Sequence, residues 1–199
     1  MKRRDPYSVG RIYQSLSLLD QLFNLNQITY WIDGGTLIGA TRHGGFIPWD
    51  YDADIEIFEE DAPRVWALEK SFYRFGLKLM RTYFGFKVVR RRGLGDGIDI
   101  FLMKRDKETG NIILAHEMAR ENWPDNYWEP HELENLTRVK FGPIELTASS
   151  SPMRYLKTQY GEDVMEYAWW TREDKKKVKI IDFSPAEFLI ASPWPIPIR

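Results

Sequence analysis

The sequence predicts an α+β fold, a mixed β-sheet flanked by helices, on three observations. Apolar residues near the start recur at three- and four-residue steps. Acidic and apolar residues alternate through Tyr51-Asp52-Ala53-Asp54-Ile55-Glu56-Ile57-Phe58. Ile98-Asp99-Ile100-Phe101-Leu102-Met103 is an apolar, β-branched run with one charge inside it.

In chain order, Ile12, Leu16, Leu19, Leu22 and Phe23 define one face of an amphipathic helix over residues 9–26. Thr29-Tyr30-Trp31-Ile32 reads as a short strand that Asp33-Gly34-Gly35 breaks into a turn. Thr36 then caps a helix of about two turns reaching Arg42, stopped by Gly44-Gly45, and Phe46-Ile47-Pro48-Trp49 is a loop because proline disfavours helix in its predecessor. In the alternating strand, Ala53, Ile55 and Ile57 point one way and Asp52, Asp54 and Glu56 the other. Glu59, Glu60 and Asp61 suit the N-terminus of a helix running to Phe75, with Pro63 in its first turn. Strands follow over 78–83 and 86–91, a turn over 93–97, the Asp99 strand, and a hairpin turn over 106–111. Residues 122–130, rich in Trp, Pro and Asn, read as irregular, 139–146 as a hairpin, and 153–160 as a helix ended by Gly161. The run 172–179 is a charged surface segment, and Ser192-Pro193-Trp194-Pro195-Ile196-Pro197 is extended.

Composition narrows the chemistry. With 28 Lys and Arg against 29 Asp and Glu, the net charge of -1 argues against a large nucleic-acid footprint. No cysteine is present and the three histidines (His43, His116, His131) are scattered, so any metal is expected to be a hard, oxygen-bound cation. No apolar run of about 18 residues occurs and the start MKRRDPYSVG lacks the apolar segment of a secretory signal, so a cytoplasmic location is expected.

Asp52 and Asp54 leave the same face of a strand about 7 Å apart along the backbone and can lean together. In a partly desolvated cleft such a pair cannot stay ionised without compensation. Mg²⁺ or Mn²⁺ would compensate, and Asp99 adds a third ligand if its strand is adjacent. The competing reading makes Asp52, Asp54 and Glu56 the wet side of an edge strand. The Gly34-Gly35-Thr36 turn offers backbone amides to a phosphate, and Arg42 and His43 stand where they could touch a phosphate or leaving group, or simply cap a helix end.

The stretch WIDGGTLIGATRHGGFIPWDYDADIEI, residues 31–57, resembles the signature of the LicD and fukutin-related protein family. The matching residues are Gly35-Thr36-Leu37-Ile38-Gly39, Arg42, Gly45-Phe46-Ile47-Pro48-Trp49, and Asp50, Asp52 and Asp54. Gly97-Ile98-Asp99-Ile100-Phe101 is similar to the strand with the family's third carboxylate, and Tyr155-Leu156-Lys157-Thr158-Gln159-Tyr160-Gly161 to a further family element. Tyr51 stands where many members carry another Asp, so it adds no ligand.

The resemblance implies a nucleotidyltransferase (polymerase-β-like) fold. It also implies transfer of a phosphorylated alcohol, of the phosphocholine or ribitol-phosphate type, from a CDP-linked donor to a glycan hydroxyl. Residues 1–199 would form one domain, with 1–150 the catalytic core and 151–199 a helical and Pro-rich C-terminal extension. Asp52, Asp54 and Asp99 would hold Mg²⁺ or Mn²⁺ and do the catalysis, with Asp99 also helping to deprotonate the acceptor. Gly34, Gly35, Thr36, Arg42, His43, Trp49 and Asp50 would contact substrate, Asp50 alternatively as a supporting or turn residue. Arg90, Arg91 and Arg92 could cradle an anion or line a solvated strand edge. Tyr155, Leu156 and Tyr160 have core spacing, and Trp123, Trp128, Trp169, Trp170 and Trp194 could serve core or groove. Two alternatives remain: transfer of a nucleoside monophosphate, which would release pyrophosphate rather than CMP, and an inactive fold serving as a binding module.

Overall fold

The structure, a computed structural model, describes residues 2–91, 97–169 and 177–190. The predicted turn over 93–97 therefore lies outside the described residues except for Gly97, as do Arg92, Trp170, Trp194, the first five residues of the charged run and the closing proline-rich stretch.

The opening helix α1 spans Pro6–Leu25, with the Asp5 side chain accepting from the Ser8 amide and Pro6 in the first turn, where its missing N–H costs nothing. Its predicted face (Ile12, Leu16, Leu19, Leu22, Phe23) is buried, together with Val9 and Tyr13. Strand β1, Tyr30–Asp33, is followed by α2, Gly34–Ile38, which widens into a π-helical turn over Gly39–His43. The helix thus starts two residues before Thr36, and Thr36 does not cap it. Its hydroxyl instead accepts from the Asp54 amide at 2.8 Å, tying α2 to the next strand.

That strand, β2 (Ala53–Phe58), runs antiparallel to β1 and parallel to β5 (Gly97–Arg105). It is interior to the sheet, so the edge-strand reading of the acids fails. The predicted helix to Phe75 is broken at Leu68 into α3 (Ala62–Ala67) and α4 (Glu69–Arg74), after a 3₁₀ turn over Glu59–Asp61. Strands β3 (Leu77–Arg81) and β4 (Gly85–Arg90) form a hairpin, giving the order β1-β2-β5-β4-β3.

Residues 122–130 are more ordered than their composition predicts. β6 (Ile112–Leu114) pairs the far end of β5, α5 spans Glu117–Asn122, β7 (Tyr127–Trp128) pairs β6, and α6 spans Pro130–Leu133 behind a Glu129/Glu132 capping box. The central sheet therefore has seven strands and is mixed, with β2 and β5 its parallel pair. β8 (Leu136–Phe141) and β9 (Ile144–Ser149) form a separate hairpin beside β1, and α7 spans Met153–Tyr160.

Past α7, β10 (Tyr167–Trp169) pairs β11 (Lys177–Lys179), so the end of the charged run is a strand. Residues 180–190 return to the start of the chain: the Ala186 amide donates to the Phe46 carbonyl at 2.7 Å and the Leu189 amide to the Pro6 carbonyl at 3.0 Å. Among the described residues, no helix is long and apolar enough to cross a membrane.

Candidate active site

Sheet register assembles the site. Asp33 of β1 is paired with Asp54 of β2, Asp54 with Asp99 of β5, and Asp99 with Lys87 of β4, so four charged side chains form one row across four strands. Strand alternation keeps them on one face, while Ala53, Ile55, Ile57, Ile98 and Ile100 are buried on the other. Asp52, just before β2, reaches the same place. Carboxylate oxygens of Asp52, Asp54 and Asp99 lie within 4.8 Å of one another, all three residues partly exposed.

They sit on the wall of a cleft of about 480 Å³. Gly34, Gly35, Arg42, Trp49 and Asp50 also line it, whereas Thr36 and His43 do not. His43 is buried, with its ring edge-on to Trp49 at 5.6 Å and its Nε2 accepting from Arg42 Nε. Arg42 turns its guanidinium to the carbonyls of Val164 (2.6 Å) and Tyr167 (3.2 Å), so it ties the segment after α7 to the cleft wall. Burial lowers its pKa to about 10, against the opposing pull of Asp50. Arg90 and Arg91 lie elsewhere: Arg90 donates to Gln14 and Arg91 covers the Tyr73 ring.

The glycine pair makes room for the acids. Gly34 has φ +52°, and a side chain there would place its Cβ 2.7 Å from Asp54 Oδ2. A Cβ on Gly35 would collide with Asp50 Oδ2, and the Gly35 amide already points at Asp54 Oδ2, at 3.3 Å. In this arrangement the turn serves the carboxylates directly.

Electrostatically the cluster is short of positive charge. Burial, then the charges of Asp50 and Asp99, push Asp52 up to about 7, with Lys87 opposing. Asp54 is driven well above the carboxylate range by burial and by Asp52, Asp33, Asp50 and Asp99. Lys87 Nζ, 2.8 Å from Asp99 Oδ1, is the one ion pair to the triad among the described residues, and Arg42 is committed to backbone carbonyls. A hard divalent cation fits such a donor set: three oxygen ligands, crowded like charges, and a face left open for water or phosphate.

Beneath the triad lies a buried polar layer where the edge-strand reading has solvent. Glu56 is fully buried, its Oε2 accepting from the indole N–H groups of Trp31 (2.5 Å) and Trp128 (2.6 Å). Burial, then Asp33, raise its pKa well above the carboxylate range. Asp33 accepts from the Tyr155 hydroxyl and from Asn126 Nδ2 at 3.2 Å, and Tyr155 stacks on Trp128 with centroids 3.7 Å apart. Tyr155 is therefore packed, as its helical spacing predicts, and it also supports the cleft floor. Asp33, Phe101, Asn126, Gln159 and Tyr160, which are not assigned to the cleft from the sequence, also line it, as does Trp123, which the sequence leaves between core and groove. The signal for Asp33 was available in its place two residues after Trp31 on one strand face.

The family model described as LicD/FKTN/FKRP, nucleotidyltransferase domain, matches residues 27–151, from just before β1 to the end of β9. The chain belongs to this family. Relatives include the uncharacterized protein RP689 of Rickettsia prowazekii, 35% identical over 153 residues, which cover 76% of this chain and 54% of that protein. Ribitol 5-phosphate transferase FKRP of Mus musculus is 59% identical over 149 residues, covering 70% of this chain and 29% of that protein. Lipopolysaccharide cholinephosphotransferase LicD of Haemophilus influenzae is 45% identical over 60 residues, covering 27% of this chain and 23% of that protein. The chain thus spans about half the length of the first relative and less of the others. The family match covers β1, α2, β2 and β5, and with them every acid of the triad, and its nucleotidyltransferase domain is the mixed sheet described above.

Proposed function

We propose that this chain transfers a phosphorylated alcohol, of the ribitol-phosphate or phosphocholine type, from a CDP-linked donor to a hydroxyl of a glycan, with Mg²⁺ or Mn²⁺ held by Asp52, Asp54 and Asp99. The supporting observation is the convergence of these three carboxylates on the wall of an open cleft, in a chain of a family whose relatives include a ribitol 5-phosphate transferase and a cholinephosphotransferase.

Asp52, Asp54 and Asp99 would hold the divalent cation, which would supply charge neutralisation for the donor diphosphate. The protein's residues do the rest. Asp99, held by Lys87, receives the proton of the acceptor hydroxyl while the hydroxyl oxygen bonds to the transferred phosphorus. The bond from that phosphorus to the bridging oxygen breaks, and CMP leaves with the electron pair. Gly34 and Gly35 keep the approach to Asp54 and Asp50 clear, and Trp49, Tyr160 and Tyr167 give the cleft apolar walls for the donor. Arg42 positions the segment carrying Val164 and Tyr167.

The test offers CDP-ribitol, CDP-choline, CDP-glycerol, CTP and ATP with Mg²⁺, reading thermal shift and released product. A true donor at 100-fold excess over its dissociation constant should add about 2.7 kcal/mol of stability. CMP release with a CDP-alcohol supports the reading. Pyrophosphate release from CTP or ATP would replace it with nucleotidyl transfer, and no response to any compound would point to a binding module.

A further inference from the structure

A second cavity, of about 600 Å³, opens at the tip of the β3–β4 hairpin, where α3 and the residues after β6 meet it. Its walls are aromatic: Trp66, Tyr83, Phe84 and Phe86, with Trp66 and Phe86 stacked at 6.1 Å. Its rim is polar and carries both signs, with Glu59, Arg81 and His116 all exposed. Arg81 stands over the Trp66 ring at 4.3 Å. Thr82 Oγ1 is buried in this lining with no hydrogen-bond partner among the described residues, an arrangement that is costly unless a ligand or water completes it.

The cavity adjoins the candidate active site through a shared aromatic wall. Phe101 and Trp123 line the cleft, and each touches a ring that lines the second cavity: Phe84 stacks on Phe101 at 4.6 Å and Tyr83 on Trp123 at 6.2 Å. Along β5, Leu102, which borders the second cavity, is three residues or about 10 Å from Asp99 and alternates to the opposite face of the sheet, as Phe86 does through its pairing with Ile100. A chain-like acceptor whose hydroxyl lies at Asp99 would bring its neighbouring units here by passing over the Tyr83–Phe84 wall at the hairpin tip.

We propose that this cavity is a sugar-binding subsite for the acceptor glycan. Aromatic faces ringed by donors and acceptors of both signs match a pyranose, which presents C–H faces to rings and hydroxyls to the edges. The donor's diphosphate needs the acidic, cation-binding cleft, which this cavity is not. Thr82 Oγ1 and the Arg81 fork are the hydroxyl partners, while Tyr83, 40% exposed, and Trp66 form the platform. The assignment rests on the acceptor class named under Proposed function, but its test needs neither donor nor metal.

The test is saturation-transfer NMR of metal-free Asp52→Asn protein with lactose, maltose and N,N′-diacetylchitobiose, each as the probe in turn. At least one disaccharide should receive saturation. Its affinity should fall about tenfold in Tyr83→Ala, which removes an aromatic face, and by a smaller factor in the near-isosteric Thr82→Val, with both melts unchanged within a few degrees. Three results would overturn the proposal: no transfer to any of the sugars, transfer unaffected by both substitutions, or a signal that CMP displaces. CMP release from a CDP-alcohol without sugar binding would refute this subsite alone, and sugar binding without any donor response would refute the transferase reading alone.

Discussion

Replacing Asp52 by Asn should stabilise the metal-free protein at alkaline pH while abolishing its stabilisation by Mg²⁺ or Mn²⁺. Asp52 ordinarily titrates near 3.8, and burial with Asp50 and Asp99 pushes it up to about 7 in the fold. The folded state therefore holds this proton more tightly than the unfolded chain. The metal-free protein is accordingly most stable, as far as this group decides, below about pH 4, and loses that stability as pH rises through about 7. Moving a carboxyl from 3.8 to about 7 corresponds to a ceiling of about 4 kcal/mol, and because Asp52 is partly open to the cleft, solvent screening brings the effect to about 2 kcal/mol. For a chain of 199 residues that is a rise of about 4–8 °C in the metal-free melt at pH 8, shrinking as pH falls toward 4. Scanning fluorimetry of both proteins across pH, with EDTA and with Mn²⁺, measures it. A variant that melts lower at pH 8 in EDTA, or that keeps the full Mn²⁺ shift, would refute the claim that Asp52 belongs to an uncompensated cation site.

Other perturbations reach the layers around the triad. Gly35→Ala forces Asp50 aside and should cut transfer activity at least about tenfold in a steady-state assay while the fold survives, since a displaced positioning group is felt strongly in the reacting geometry. Tyr155→Phe removes the hydroxyl donated to Asp33 and should cost about 1–3 kcal/mol in urea unfolding, with the Trp128 stack retained. Arg42→Lys keeps the charge but loses the fork that spans the Val164 and Tyr167 carbonyls, so hydrogen exchange in residues 161–169 should quicken before the central sheet responds.

What could be read from the sequence was local. The helix face of α1 and the alternation of β2 are periodic patterns contained within one element, and the triad followed from the alternation plus one isolated acid in an apolar strand. Glu56 is buried rather than wet, against the competing edge-strand reading, because its burial depends on Trp128, 72 positions away, which reaches β2 from β7, the partner of β6. Strand β7 lies in the stretch that reads as irregular for the same reason: it is two residues long, and its partner, not its own composition, makes it a strand, whereas β6 is the return strand that the hairpin turn over 106–111 implies. Asp33 resembled a turn residue because Gly34-Gly35 follows it, yet its pairing with Asp54 makes it the end of a strand. The cleft wall after α7 lies more than 100 positions from Asp52 and Asp54, and no local pattern announces that contact.

The central claim is that three side chains from two parallel neighbouring strands grip one divalent ion. Anomalous diffraction from crystals soaked in Mn²⁺ tests it most directly. The account predicts a single strong peak about 2.0–2.2 Å from oxygens of Asp52, Asp54 and Asp99, absent in Asp54→Asn crystals treated alike. A peak lodged elsewhere, or density for an ordered cleft with no manganese between those carboxylates, would contradict it.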